Sequence, residues 1–132
     1  MKILAVITTV SGFLAVALGA FGAHALRNTV APEMLGVWQT AVQYQMFHVL
    51  VLLSIVIAES RRAGILMRVA GWLFVMGTVL FSGSLYLLVI TGIKALGMIT
   101  PIGGGLFLMG WLVLSFALVK FIAAQRSSVS NR

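Results

Sequence analysis

The sequence predicts an all-α membrane protein, an antiparallel bundle of four transmembrane helices with both termini on the cytoplasmic side. Three observations predict it. Hydrophobic residues make up 61% of the 132-residue chain and charged residues only 8%, too few to cover a water-facing surface when a soluble domain carries about 25% charged residues. Four apolar stretches are each long enough for a spanning helix, which needs about 20 predominantly apolar residues. The nine basic residues are unevenly placed around those stretches: Lys2, Arg61, Arg62, Arg68, Lys120, Arg126 and Arg132 fall on one side, and only Arg27 and Lys94 on the other. Basic residues beside spans are held on the cytoplasmic side during insertion, so the bias gives an orientation as well as a location.

The spans are expected at about 3–23, 38–58, 67–91 and 101–123, within one domain covering residues 1–124, followed by a polar, Ser-rich tail, 125–132, that frays. The first apolar stretch, about 21 residues, ends in the cleavage-like Ala23-His24-Ala25, but it is longer than a signal-peptide core of about 7–15 residues, so a retained helix is expected. The second helix opens at Pro32, whose fixed φ suits the first helical position, and Glu33 suits the positive end of the helix dipole. Running to Ala58, it is about 40 Å long at helical rise, so its first turns project beyond the hydrocarbon. Trp38 and Trp72 fit an interfacial aromatic belt. Thr100 is a candidate N-cap for the fourth helix, with Pro101 at its first position. Connections of about eight residues favour antiparallel neighbours.

Lipid gives helices no hydrophobic reason to associate, so close packing relies on small residues. Ser11, Ala15, Gly19 and Ala23 recur every fourth residue on the first helix. Gly19, Gly22, Gly83, Gly103, Gly104 and Gly110 are the expected packing positions, with Gly71 and Gly77 on the third helix. Gly103 to Gly105 also admit a second reading, as backbone left exposed beside a ligand or conduction path.

Polar side chains inside a membrane are costly unless paired, so their positions are informative. No acid or base stands near the centre of any span, and the only acids, Glu33 and Glu59, lie at opposite ends of the second helix. A carboxylate-driven proton exchanger is thereby disfavoured. The amides, imidazoles and phenols concentrate toward the outer ends: His24, Gln39, Gln43, Tyr44, Gln45, His48, Ser82, Ser84, Tyr86 and Thr100. Counting from Trp38 and Thr91 puts His48 and Ser82 at comparable depth, about 13–15 Å in at helical rise, within reach of a hydrogen bond. This polar cluster reads either as interhelical hydrogen bonds fixing register or as a small aqueous or ligand-binding cavity. Two histidines without an acidic partner are too few for a zinc site, and the chain has no cysteine. No metal or cofactor is expected.

Four segments carry a family resemblance. They are Gly19-Ala20-Phe21-Gly22-Ala23-His24; Trp38 to Gln45 with Phe47-His48; Leu80-Phe81-Ser82-Gly83-Ser84-Leu85-Tyr86; and Thr100-Pro101-Ile102-Gly103-Gly104 with Gly110-Trp111. In this order the chain, over roughly residues 11–115, resembles the YgdD-like family of small bacterial inner-membrane proteins, a domain of unknown function with eukaryotic transmembrane relatives. The resemblance implies a multi-pass protein of the bacterial inner membrane and supplies no activity.

Three functions compete. The favoured one is a non-enzymatic structural, regulatory, lipid-binding or partner-binding component acting through its outer cluster. The second is a small oligomeric channel or transporter. The third, a membrane enzyme, has only Ser82 with His48 as a candidate pairing, and no acid to orient the imidazole. The expected partners are membrane lipids, with a homo-oligomer or another membrane protein beside them. The net charge of +7 is accounted for by topology, since no basic stripe with interleaved aromatics lies outside the spans to bind nucleic acid.

Overall fold

A computed structural model describes residues 2–59 and 64–130, with the side chains of Glu59 and residues 125–130 outside the description. The described chain is helical almost throughout: α1 (Lys2–Phe21), α2 (Pro32–Glu59), α3 (Ile65–Thr91) and α4 (Thr100–Ser130). A π-helical turn, Gly22–Leu26, prolongs α1, and a 3₁₀ turn, Lys94–Met98, precedes α4. Four helices are long and apolar enough to cross a membrane. Arg61 and Arg62, on which part of the charge asymmetry rests, lie outside the described residues, as does Arg132.

Local chemistry sets most of the boundaries. Pro32 opens α2 as expected. Gly92 closes α3 in the left-handed region at φ 71°, where its N–H bonds the Leu88 carbonyl, a helix stop that glycine adopts without a Cβ penalty. Thr100 does not cap α4. It lies inside the first turn, which is closed by Ile102 and Gly103 N–H groups on the Ile99 carbonyl, and its hydroxyl goes to Ser84 instead. The polar stretch expected to fray continues α4 to Ser130; after Gly110 the sequence contains no Gly or Pro to break the helix.

α3 is the central helix. It packs on α2 and α4 and touches α1, whereas α4 meets neither α1 nor α2 through its backbone among the described residues. The core is Leu4 from α1, Leu52 and Ile55 from α2, Met67, Ala70, Phe74 and Val75 from α3, and Phe107, Leu114 and Ala117 from α4.

The helices meet through rings seated on glycines. Phe107 lies over Gly77, where a Cβ would come within 2.6 Å of the ring, and Phe74 lies over Gly110, at 2.8 Å. Gly103 goes further, with its missing Cβ directed onto the backbone nitrogen of Phe81. On the α1 side Gly22 receives Trp38, and a Cβ at Gly19 or Gly12 would lie 3.4 Å from Val42 or 3.3 Å from Val49. Leu4 fills the notch at Gly71. Two expected packing positions are not close contacts. Nothing lies within 4 Å of a Cβ at Gly83, and Gly104 is 3.9 Å from the Phe81 ring. Gly83 looks toward α1 and α2 instead of α4, and Gly104 sits at the groove edge in ordinary contact with Phe81.

Candidate functional site

The expected polar cluster resolves into separate hydrogen-bonded sets. The most extended joins three helices: Gln45 Nε2 donates to the Ser11 carbonyl at 2.9 Å and meets the Ser11 hydroxyl at 3.3 Å. Tyr86 Oη donates to Gln45 Oε1 at 2.8 Å. Gln45 is buried, and this relay uses both ends of its amide, so it fixes the register of α1, α2 and α3 together. Trp38 adds a bond from its indole N–H to the Leu18 carbonyl at 2.8 Å and packs on Tyr86 with ring centroids 4.6 Å apart. Between α3 and α4, the Ser84 and Thr100 hydroxyls bond at 2.8 Å.

Ser82 and His48 do not bond. Ser82 Oγ donates to the Ala41 carbonyl at 2.8 Å, and Nδ1 of His48 lies 2.8 Å from the Tyr44 carbonyl. The depth count placed Trp38 level with Thr91, whereas Trp38 actually lies beside Tyr86, five residues earlier, or about 7.5 Å at helical rise. That offset brings Ser82 up to Ala41. The one pairing that resembled a nucleophile and its base is therefore not assembled. His24, Gln39 and Gln43 are all exposed and outside the hydrogen-bonded sets. For His24 the reason is helical phase: Gly22, two turns after buried Ala15, stays on the inward face, and His24, half a turn further round, faces out with Ala23. Among the described residues no three His, Cys, Asp or Glu side chains come together as a metal site.

What the structure adds is a groove. No Cα of α2 comes within 8 Å of one in α4 among the described residues, and the gap between them is a recess of about 820 Å³. Tyr44, Phe47 and His48 line it from α2, with Gln43 at its edge, and Phe81 of α3 lies behind. Gly104, Phe107, Leu108 and Trp111 line it from α4, at the three-and-four spacing that puts residues on one helix face. The walls are mostly rings. Tyr44 stacks on Phe81 at 4.4 Å, and His48 lies face to face with Phe107 at 3.6 Å and 3°. Phe47, Leu108 and Trp111 are largely exposed, whereas His48 is only 3% exposed. Sequence reasoning identified Tyr44 and His48 and missed the aromatic partners. Their signal was present in Phe107 and Trp111, four apart on α4, and Tyr44 and His48, four apart on α2.

An all-α chain with four membrane-length helices and an aromatic lateral groove defines a small multi-pass membrane protein. Comparison with known proteins narrows this. The family described as "Protein of unknown function (DUF423)" matches residues 18–104. The UPF0382 membrane protein YwdK of Bacillus subtilis is 44% identical over 95 residues, covering 71% of this chain and 77% of YwdK. The UPF0382 membrane protein SAB0533 of Staphylococcus aureus is 47% identical over 94 residues, 71% of this chain and 76% of its own. The UPF0382 inner membrane protein YgdD of Escherichia coli K12 is 41% identical over 93 residues, 70% of this chain and 71% of its own. No solved structure matches. The chain belongs to the UPF0382 (DUF423) family of small membrane proteins, which contains YgdD. It is a multi-pass protein of the bacterial inner membrane.

Proposed function

We propose that this protein is a non-enzymatic component of the inner membrane that binds a lipid or another membrane-dissolved ligand in the groove between α2 and α4. The observation that carries this reading is the groove itself. Its volume, about 820 Å³, falls within the roughly 300–1,000 Å³ of ligand sites, which are typically apolar with a few placed polar groups. It lies between two spanning helices whose backbones do not meet, so its mouth faces the bilayer. Gly104 and Gly105 leave the α4 wall low, and no atom lies within 4 Å of a Cβ at Gly105. That is the condition expected for backbone kept bare beside a ligand.

A phospholipid carrying a photoreactive acyl chain, activated with the protein in vesicles, is expected to label Tyr44, Phe47, Leu108 and Trp111 above other lipid-facing positions. Gly105→Phe, at a groove position with open space around a Cβ, is expected to lower that labelling several-fold while the protein remains folded. Uniform labelling of all lipid-facing residues, indifferent to Gly105→Phe, would remove this reading.

The same proposal includes the topology: four helices of alternating direction, with both termini and the connection between α2 and α3 cytoplasmic. Contacts support the alternation, since Gly12, Gly19 and Gly22 meet Val49, Val42 and Trp38, and Gly103, Phe107 and Gly110 meet Phe81, Gly77 and Phe74. In each series the partner number falls as the other rises. Because the chain has no cysteine, single cysteines report sidedness. A membrane-impermeant maleimide is expected to label Lys94→Cys from outside the inner membrane and Lys120→Cys only after lysis. The reverse pattern would invert the orientation.

A further inference from the structure

We infer that the groove is an acceptor-only site that takes an amphiphile presenting an aromatic hydroxyl, a phenol or quinol headgroup, to Nε2 of His48. This rests on the ligand-binding reading above and adds the chemistry of the ligand.

Nδ1 of His48 lies 2.8 Å from the Tyr44 carbonyl oxygen. A carbonyl only accepts, so Nδ1 carries the hydrogen and donates it. In a neutral imidazole the other nitrogen is then a bare lone pair, an acceptor. Nε2 is buried and has no hydrogen-bond partner. A buried polar atom left unpaired is costly, and such an atom requires an explanation. The neighbours of the ring are Tyr44, Phe47, Phe74, Phe107 and Trp111; among the described residues neither the Tyr44 hydroxyl nor the Trp111 indole N–H bonds Nε2, and the acids of the chain stand at the far ends of α2. The vacancy therefore calls for a hydrogen-bond donor from a ligand.

Geometry sets how that donor arrives. Phe107 covers one face of the imidazole, and Nε2 lies in the ring plane. A donor must therefore approach edge-on past Phe47 and Trp111, which stand against each other with centroids 6.0 Å apart and lie 5.5 Å and 6.4 Å from that of His48, so one of the two rings must turn aside. Trp111 is 40% exposed, so its indole has room to swing aside. The passage is walled by aromatic faces, and aromatic pairs favour centroid separations of about 4.5–7 Å. A flat ring carrying its hydroxyl in plane fits this passage, and its tail lies along the apolar outer groove beside Leu108. The fixed tautomer also discriminates: a quinol donates to Nε2, and its quinone, which only accepts, does not.

The test uses the whole protein in lipid nanodiscs, labelled with ¹⁵N-histidine. The chain has two histidines, and His24→Gln assigns them. The probes are 4-dodecylphenol and 4-dodecylanisole, which differ by replacement of the donor hydrogen with a methyl group. A decyl benzoquinol and its quinone form a second pair. The phenol and the quinol are expected to move the His48 Nε2 resonance upfield and leave His24 unmoved. They should displace the photoreactive lipid about fivefold more effectively than the anisole and the quinone, the value of one net hydrogen bond. His48→Phe keeps the ring stack and is expected to abolish the preference. Equal displacement by both members of each pair would overturn the acceptor assignment and leave the groove standing. An Nε2 already shifted upfield without ligand, and unmoved by the phenol, would reveal an internal donor and also overturn it. No displacement by any probe, together with uniform photolabelling, would remove the groove reading itself.

Discussion

Gly103→Ala is expected to destabilise the protein by about 3 kcal/mol, the upper end of the usual cost of overpacking. The new methyl group would land on the backbone nitrogen of Phe81, with the Phe81 Cα and Cβ each 2.8 Å away. A side chain can rotate out of such a clash, but the main chain of α3 cannot. It is held by its own helical ladder, by Phe107 on Gly77 and Phe74 on Gly110 to one side of the crossing, and by the Ser84–Thr100 hydrogen bond to the other. The two helices must part, and because the interface consists of rings set into glycine notches, separation at Gly103 also loosens Phe107 over Gly77. Lipid returns nothing for that separation beyond contacts with its own chains. The neighbouring Gly104→Ala is the control, since its Cβ would lie 3.9 Å from the Phe81 ring, an ordinary contact. It also gains up to about 1 kcal/mol of helix propensity over glycine. Unfolding of both variants in a denaturing detergent series measures the difference. Equal midpoints would mean that α3 and α4 do not cross at this point.

The parts of this structure that were legible in the sequence are those fixed within one helix. Span lengths follow from apolar runs and the start of α2 from Pro32. What depends on relative height and rotation was not legible. The face of α1 was read as a strict four-residue stripe ending at Ala23, whereas 3.6-residue phase drifts from that stripe and ends the buried face at Gly22, leaving Ala23 and His24 exposed. The level of α3 against α2 was read from the chain ends, and the pairing of Trp38 with Tyr86 shifts it by more than a turn. Ser82 thus finds a backbone carbonyl instead of an imidazole. The residues expected to form one cluster are instead divided among three interfaces: Gln45 and Tyr86 with Ser11, Ser82 with Ala41, and Ser84 with Thr100. The groove was hidden for a different reason. Its walls are Phe, Trp and Leu, which in a membrane chain of this composition are the commonplace background, and only the separation of α2 from α4 makes them a site.

Trp38→Ala is expected to cost at least about 3 kcal/mol, the lower end for truncating a large buried aromatic. Trp38 is 1% exposed, and its ring touches Phe21 at 5.7 Å and Tyr86 at 4.6 Å. In lipid the transfer part of that cost shrinks, because the removed surface gains no water to avoid. The cavity part remains, and the indole hydrogen bond to Leu18 adds roughly 0.6–1.7 kcal/mol, the range for interhelical bonds in membranes. Trp38→Phe keeps a ring against Tyr86 and removes the donor together with the rest of the indole, so its cost sets an upper limit on the second contribution. The pairing with Gly22 supplies a sharper test. A Cβ at Gly22 would lie 2.5 Å from Cδ1 of Trp38, so Gly22→Ala is destabilising for as long as the indole fills the notch. In the Trp38→Ala background that methyl group would enter the space the indole vacates. The double variant should therefore be more stable than the sum of the two single costs predicts, by about 1–3 kcal/mol, as for residues that share a contact. Additive costs would show that α1 and α2 do not meet at Gly22 and Trp38, and the register set by Gln45, Ser11 and Tyr86 would then lose its anchor at this end.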